Sequence, residues 1–215
     1  GIIVGSHILQ INDIQEERFN PMGVSDAELA ELHAKKFAVM DDAVGEKMQE
    51  RILQAKSELN SVGGVIEAIA LHLPPGIGAP YFDSVESMLS HALFSVPAVK
   101  GVEFGDGFGF AGLTGAEAND ALHYVDGKVL ALTNHNGGVT GGITNGMPLV
   151  VRVAIKPTPS IAREQQTVSL KEQADTTLAI VGRHDPCIVQ RAVPVIEAVV
   201  AWTLWDLLLE AKKWE

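Results

Sequence analysis

From Gly1 to Asp13, GIIVGSHILQIND alternates imperfectly between apolar and polar positions and is rich in β-branched residues, a pattern that predicts an opening strand. Ser25 then begins a capping pattern, with Asp26 and Glu28 in the first turn of a helix over SDAELAELHAKKFAV. In DDAVGEKMQERILQAKSELN the apolar residues Val44, Met48, Ile52 and Leu53 recur at helical spacing with charges on the other face, as in a solvated helix. VGGVIEAIALHLP reads as a strand entered through Gly63 and Gly64 and stopped by Pro74 and Pro75. FDSVESMLSHALFSVPAV predicts a helix capped by Asp83 or Ser84. KGVEFGDGFGFAGLTGAEAND starts as a short strand and ends as a glycine-rich loop, and residues 128–160 place a second glycine loop between two strands. TTLAIVGRHDP predicts another strand, after which Asp185-Pro186 starts the last helix, with proline near its first turn.

Strands that come singly or as a glycine-linked pair, mixed with helices, predict an α+β fold with antiparallel sheets. No repeat or linker divides residues 1–215, which read as a single domain or a large fragment. With 47% hydrophobic and 20% charged residues a substantial core is expected. The net charge of −11 and the lack of a Lys/Arg cluster argue against a nucleic-acid partner. The apolar run from Ala192 to Leu209 contains Pro194, Glu197 and Asp206, so it reads as a core or interface helix and not a membrane span. The N-terminus lacks signal-peptide features, and one cysteine allows no intrachain disulfide; both agree with a cytoplasmic location.

Three stretches could carry chemistry. HNGGVTGGITNG, His135 to Gly146, either supplies backbone N–H groups to an anion or a flat ring, or is a tight hairpin that needs positive φ. It is neither a nucleotide phosphate loop nor a dinucleotide fingerprint. KPTPSI, Lys156 to Ile161, offers a cation and two hydroxyls on a proline-stiffened edge, as a phosphate requires, or simply ends a strand. VGRHDPCIVQRAVP, Val181 to Pro194, admits three functional readings: a metal site of His184, Asp185 and Cys187, a Cys187 nucleophile, or an anion grip by Arg183 beside an acid–base Asp185. The structural alternative has Asp185 capping the helix and Arg183 pairing with it. His33, His91 and His123 fall on predicted helices or loops without partners, and His7 and His72 interrupt strands as surface or satisfied residues. Trp202, Trp205 and Trp214 cluster on the last helix, where packing against a helix or a subunit is expected.

Taken together, KGVEFGDGF, GAEAND, NGGVTGGITNGMPLVVRVAIKPTPSI and GRHDPCIVQRAVPVIEA resemble the chorismate synthase family in content, order and spacing. The resemblance runs from about Gly1 to the last helix, and matches the C-terminal part of the family's chain. The family's Gly-Glu-Ser-His-Gly motif, second histidine motif and substrate-gripping arginines have no counterpart, so a fragment, or a second chain supplying that half, is expected. The resemblance implies a β-α-β sandwich and, usually, a homotetramer. It also implies elimination of phosphate from 5-enolpyruvylshikimate-3-phosphate with reduced FMN and no net redox change, NADPH being one source of reduction. It places FMN against Pro97 and Ala98, against Gly141, along Lys156, Pro157, Thr158, Pro159 and Ser160, and at Arg183. Asp185 would manage the flavin's proton, and Arg183 would also touch substrate. Pro97 stands where many members have a polar residue. The alternative expectation is a non-catalytic flavin- or phosphate-binding module lacking the catalytic half.

Overall fold

Alternation along four strands decides how the chain is layered, because neighbouring side chains on a strand point to opposite faces. In the computed structural model, which describes residues 1–182 and 184–212, Ile8, Ile66, Val153 and Val102 lie in register across four strands and join the main hydrophobic core. One position away, His7, Glu67, Arg152 and Glu103 form the matching row on the other face.

The chain runs through β1 (Ile3–Ile11), β2 (Ile14–Gln15), α1 (Asp26–Ala34), α2 (Asp42–Ser57), β3 (Gly64–Leu71), α3 (Val85–Ser95) and β4 (Val99–Phe104). A 3-10 turn at Gly107–Gly112 precedes β5 (Leu122–Val125), β6 (Lys128–Ala131), β7 (Val139–Thr140), β8 (Ile143–Thr144) and β9 (Leu149–Ile155). β10 (Gln165–Ser169), β11 (Ala174–Leu178) and α4 (Val189–Ala211) complete it. The main sheet is antiparallel, in the order β2-β1-β3-β9-β4. α4 packs on β1, β3 and α3, while α1 covers β1 on the opposite face, over Phe19, Ile69, Leu71 and Val150. The fold is therefore α+β with antiparallel pairing. Among the described residues one large sheet is built, and the other strands form two-stranded ribbons.

The helix starts follow their caps. Ser25 and Glu28 make a reciprocal capping box, Asp41 accepts from the N–H groups of Ala43 and Val44, and Ser84, not Asp83, caps α3. α4 differs from expectation. It begins at Val189, and its N-cap Ile188 makes no side-chain cap bond. Asp185 and Pro186 stay outside it because the Pro186 carbonyl accepts the Val62 N–H at 2.8 Å, anchoring that segment to the entry of β3. Three further differences concern exposed or local structure. The strand expected from Thr176 is β11, ending at Leu178, and its partner β10 was not foreseen. β5, containing His123, was not foreseen either. His33 has a partner in Glu197, at 3.2 Å. α4 is long and apolar enough to cross a membrane, but it is part of the core and carries Glu197, whose carboxylate accepts from Ser6 at 2.8 Å.

Three of the four polar residues in the row are buried, and Glu103 at its edge is half-buried. His7 and Glu67 are fully shielded and Arg152 is 4% exposed. His7 Nδ1 meets Glu16 and its Nε2 meets Glu67 at 3.1 Å, so each ring nitrogen faces a carboxylate, an arrangement that favours the imidazolium. Glu16 also accepts the N–H groups of Met40 and Asp41, and Glu67 that of Phe19 at 2.6 Å. Arg152 donates to Glu67 at 3.1 Å, to Glu103 at 2.5 Å and to the Gly105 carbonyl. Burial opposes charge on His7, but the bonds to Glu16 and Glu67 outweigh it and the pKa is raised. Burial likewise opposes charge on Glu67, but its bonds from His7, Phe19 and Arg152 hold its pKa below the ordinary value.

The sign follows from the raised His7 value. Its contribution to stability is complete below the unfolded-state pKa, near 6.5, and is lost as pH rises through the folded value. Urea denaturation should show stability falling on the alkaline side in the wild-type chain. In His7→Gln that part of the fall should be absent. An unchanged pH slope in the variant would rule out a titrating His7.

Candidate functional site

The expected site residues fall at two ends of the α/β layer. At one end, β9 finishes at Ile155 and the Lys156 N–H donates to the Ala98 carbonyl at 2.9 Å, just past the end of α3. Ser61 donates to the Thr158 carbonyl at 2.6 Å, and Val62 donates to Pro186 at 2.8 Å. Ala98, the Lys156–Ser160 edge and Asp185-Pro186 thus meet around one corner. Pro97, exposed, precedes Ala98. Arg183 lies outside the described residues, as does Trp214.

A cavity of about 470 Å³ opens at this corner, lined by Lys56, His184, Asp185, Pro186 and Arg191. Asp185 Oδ1 accepts the Cys187 N–H at 3.3 Å. Its Oδ2 stands 3.2 Å from Arg191 Nε, an ion-pair distance, yet it is shielded from solvent and receives no well-aligned hydrogen bond. That oxygen therefore keeps an unfilled acceptor position in a cavity that Lys56 and Arg191 also line. Capping by Asp185 is not observed. Cys187 points into the core, and burial pushes its thiol up to about 11, so it is no thiolate nucleophile at neutral pH and does not converge with His184 and Asp185 on a metal.

Gly141 is at the other end. It occupies the turn between β7 and β8 with φ +62°, and a Cβ there would meet nothing within 4 Å, so its backbone faces open space. The adjacent Gly142 carbonyl accepts the Val85 N–H at 3.0 Å, in the first turn of α3. The 11 residues of α3 therefore separate Gly141 from Ala98 by roughly 16 Å. A second cavity, of about 540 Å³, lies here between the β5–β6 hairpin and the glycine loop.

The loop itself is clamped by residues that motif reading left without roles. Asp120 accepts from Thr133, from the backbone N–H groups of His135 and Asn136, and from the Asn136 amide; burial would raise its pKa, but these bonds hold it low. Asn134 donates to Pro21 and Pro148 carbonyls and accepts the Gly138 N–H at 2.8 Å. His135 pairs with Asp106 at 2.6 Å. Asp120 stands in the GAEAND motif and Arg191 in GRHDPCIVQRAVPVIEA, which was the signal available for them. Lys56 sits on α2, 129 positions before Asp185, and carries no local signal.

The protein is α+β: an antiparallel sheet lies under a long apolar helix, with Lys56, Asp185 and Arg191 lining a cavity at one end and a glycine loop at the other. The chorismate synthase family model matches residues 1–209. The chorismate synthase of Thermococcus kodakarensis is 50% identical over 175 residues, 81% of this chain and 49% of that protein. That of Methanothermobacter thermautotrophicus is 42% identical over 98% of this chain and 56% of its own. That of Crocosphaera subtropica is 44% identical over 96% and 56%. A crystal structure of chorismate synthase superposes with TM-score 0.78 at 30% identity, covering 98% of this chain and 58% of that one. The chain belongs to the chorismate synthase family, and spans about half the length of the curated relatives it matches.

Proposed function

We propose that this chain is the flavin-binding C-terminal part of a chorismate synthase. The complete enzyme would remove phosphate and a ring hydrogen from 5-enolpyruvylshikimate-3-phosphate to give chorismate, a precursor of the aromatic amino acids. The observation that carries this reading is the corner where Asp185, with an unfilled carboxylate oxygen, lies beside Lys56 and Arg191 and close to the Lys156–Ser160 edge.

The residues fit reduced FMN. Its phosphate needs charge with directed donors, which Lys156 and the Thr158 and Ser160 hydroxyls offer, and its flat ring needs backbone without an intervening Cβ, as at Gly141. When bound, the flavin supplies electron density that is returned at the end, so the reaction has no net redox change. The chain's own residues bind the phosphates, orient the ring and place a proton acceptor, Asp185 Oδ2, at the reacting centre. Phosphate leaves with the electron pair of its C–O bond, and cations at the corner hold that charge. A cytoplasmic homotetramer, with NADPH able to reduce the flavin, belongs to the same reading.

Binding of reduced FMN by this chain tests it. Lys156→Ala should weaken binding at least about tenfold, the loss of roughly 1.4 kcal/mol expected when one charged phosphate contact goes. Unchanged affinity in that variant, or no binding by a folded chain, would overturn the site. The alternative reading is a module that binds flavin but makes no chorismate even when the other half is present.

A further inference from the structure

We propose that the notch between the end of α1 and the first turns of α4 binds a small zwitterion, an α-amino acid with an apolar side chain. This cavity, of about 290 Å³, shares no lining residue with the Asp185 corner or with the cavity beside the glycine loop, and it stands independently of the flavin reading. Small-molecule sites usually measure roughly 300–1,000 Å³, so a volume at the bottom of that range suits a ligand of amino-acid size.

Helical spacing builds one wall. Gln190, Val193, Pro194 and Glu197 stand at i, i+3, i+4 and i+7 on α4, share a face, and all line the notch. Pro194 has no N–H, so the Gln190 carbonyl one turn earlier lacks its usual helical donor and is left as an acceptor on that face. Glu197 adds a carboxylate. Its Oε2 accepts at 2.8 Å from Ser6, a residue only 3% exposed, and this bond fixes the group. Among the described residues its Oε1 meets only His33 Nδ1, at 3.2 Å, and the His33 side chain is 77% exposed. A contact so open to water is weak and yields to a better-placed cation. Two acceptors beside one cavity, one of them charged, fit an ammonium group, which has three donors and no acceptor.

The opposite wall supplies the matching charge. Lys35 is occupied, since its ammonium meets the Val39 carbonyl and Asp42, each at 2.9 Å. Lys36 is exposed and in no ion pair among the described residues. Its carbonyl accepts from the Gln190 amide at 2.9 Å, which ties this lysine to the mouth of the notch. Buried Leu32, Ala38 and Val193 provide the apolar floor. A simple amine would leave Lys36 unanswered, and a simple carboxylate would face Glu197 without a counter-charge. An ammonium and a carboxylate on one carbon that also bears an apolar side chain satisfy Glu197, Lys36 and the floor together.

Calorimetric titration of the chain with L-leucine tests the site. Saturable binding with a Kd below about 10 mM is expected, and no saturation in that range overturns the proposal. N-acetyl-L-leucine, without the ammonium, and isoamylamine, without the carboxylate, should each bind at least about tenfold more weakly. Equal binding of either reduces the notch to a single-charge site and overturns the zwitterion. Lys36→Gln, on the surface, should weaken leucine binding about tenfold, and Glu197→Gln should abolish it; unchanged affinity in either contradicts the assignment. His33→Ala should bind leucine at least as tightly as the wild-type chain, because the side chain that competes for Glu197 Oε1 is gone. Weaker binding there would contradict the exchange of His33 for the ligand's ammonium. Should Glu197→Gln fail to fold, the ligand series and Lys36→Gln still decide.

Discussion

Arg152→Met should lower the free energy of unfolding by about 3–5 kcal/mol, the cost of leaving a buried charge without its partner. Arg152 is the only cation touching both Glu67 and Glu103 among the described residues, and Glu67 is fully buried. Without the guanidinium, Glu67 retains only His7 and the Phe19 N–H against its burial. The same change frees the Gly105 carbonyl, which Arg152 holds, and Gly105 leads directly to Asp106 and its bond with His135. The double variant Arg152→Met/Glu67→Leu should regain much of the loss, since a buried pair replaced by apolar groups of similar volume is often near neutral. Equilibrium urea unfolding measures both. A loss under about 1 kcal/mol in Arg152→Met would mean that water reaches the row and that the charges there are not isolated.

Asp185→Ala should leave folding intact and reduce turnover of the complete enzyme by roughly a hundredfold or more, as expected when positioned acid–base help is removed. Asp185 is outside α4 and does not cap it, so its removal does not undo the helix start. On the proposed reading the changes belong in kcat, because the carboxylate would act at the reacting centre while Lys156 and its neighbours would carry the binding. Near-normal turnover would take Asp185 out of the mechanism.

Much of the fold could be read from local pattern. The capped starts at Ser25 and Ser84, the glycine entry to β3 and the proline stop after it are written within a few residues of where they act. What could not be read depends on distance. His7 interrupts an apolar strand, and nothing near it reveals Glu67 sixty positions on or Arg152 beyond that; only sheet register makes them neighbours. β10 and β11 are exposed over nearly their whole length, so no core face shows in their pattern. The start of α4 was misplaced because Asp-Pro is a common opening to a helix, whereas here a tertiary bond from Val62 holds Pro186. The site residues were named from family motifs, and only the structure separates Gly141 from the Asp185 corner. Lys56, reached through the packing of α2, had no sequence signal at all.

The most direct test is chorismate formation and phosphate release from 5-enolpyruvylshikimate-3-phosphate with reduced FMN, without oxygen, by this chain alone and with the N-terminal half of a family member supplied. The expected result is no turnover alone and turnover with the added half. Flavin binding by this chain with no chorismate formed in either case would contradict the enzyme reading and establish a binding module in its place.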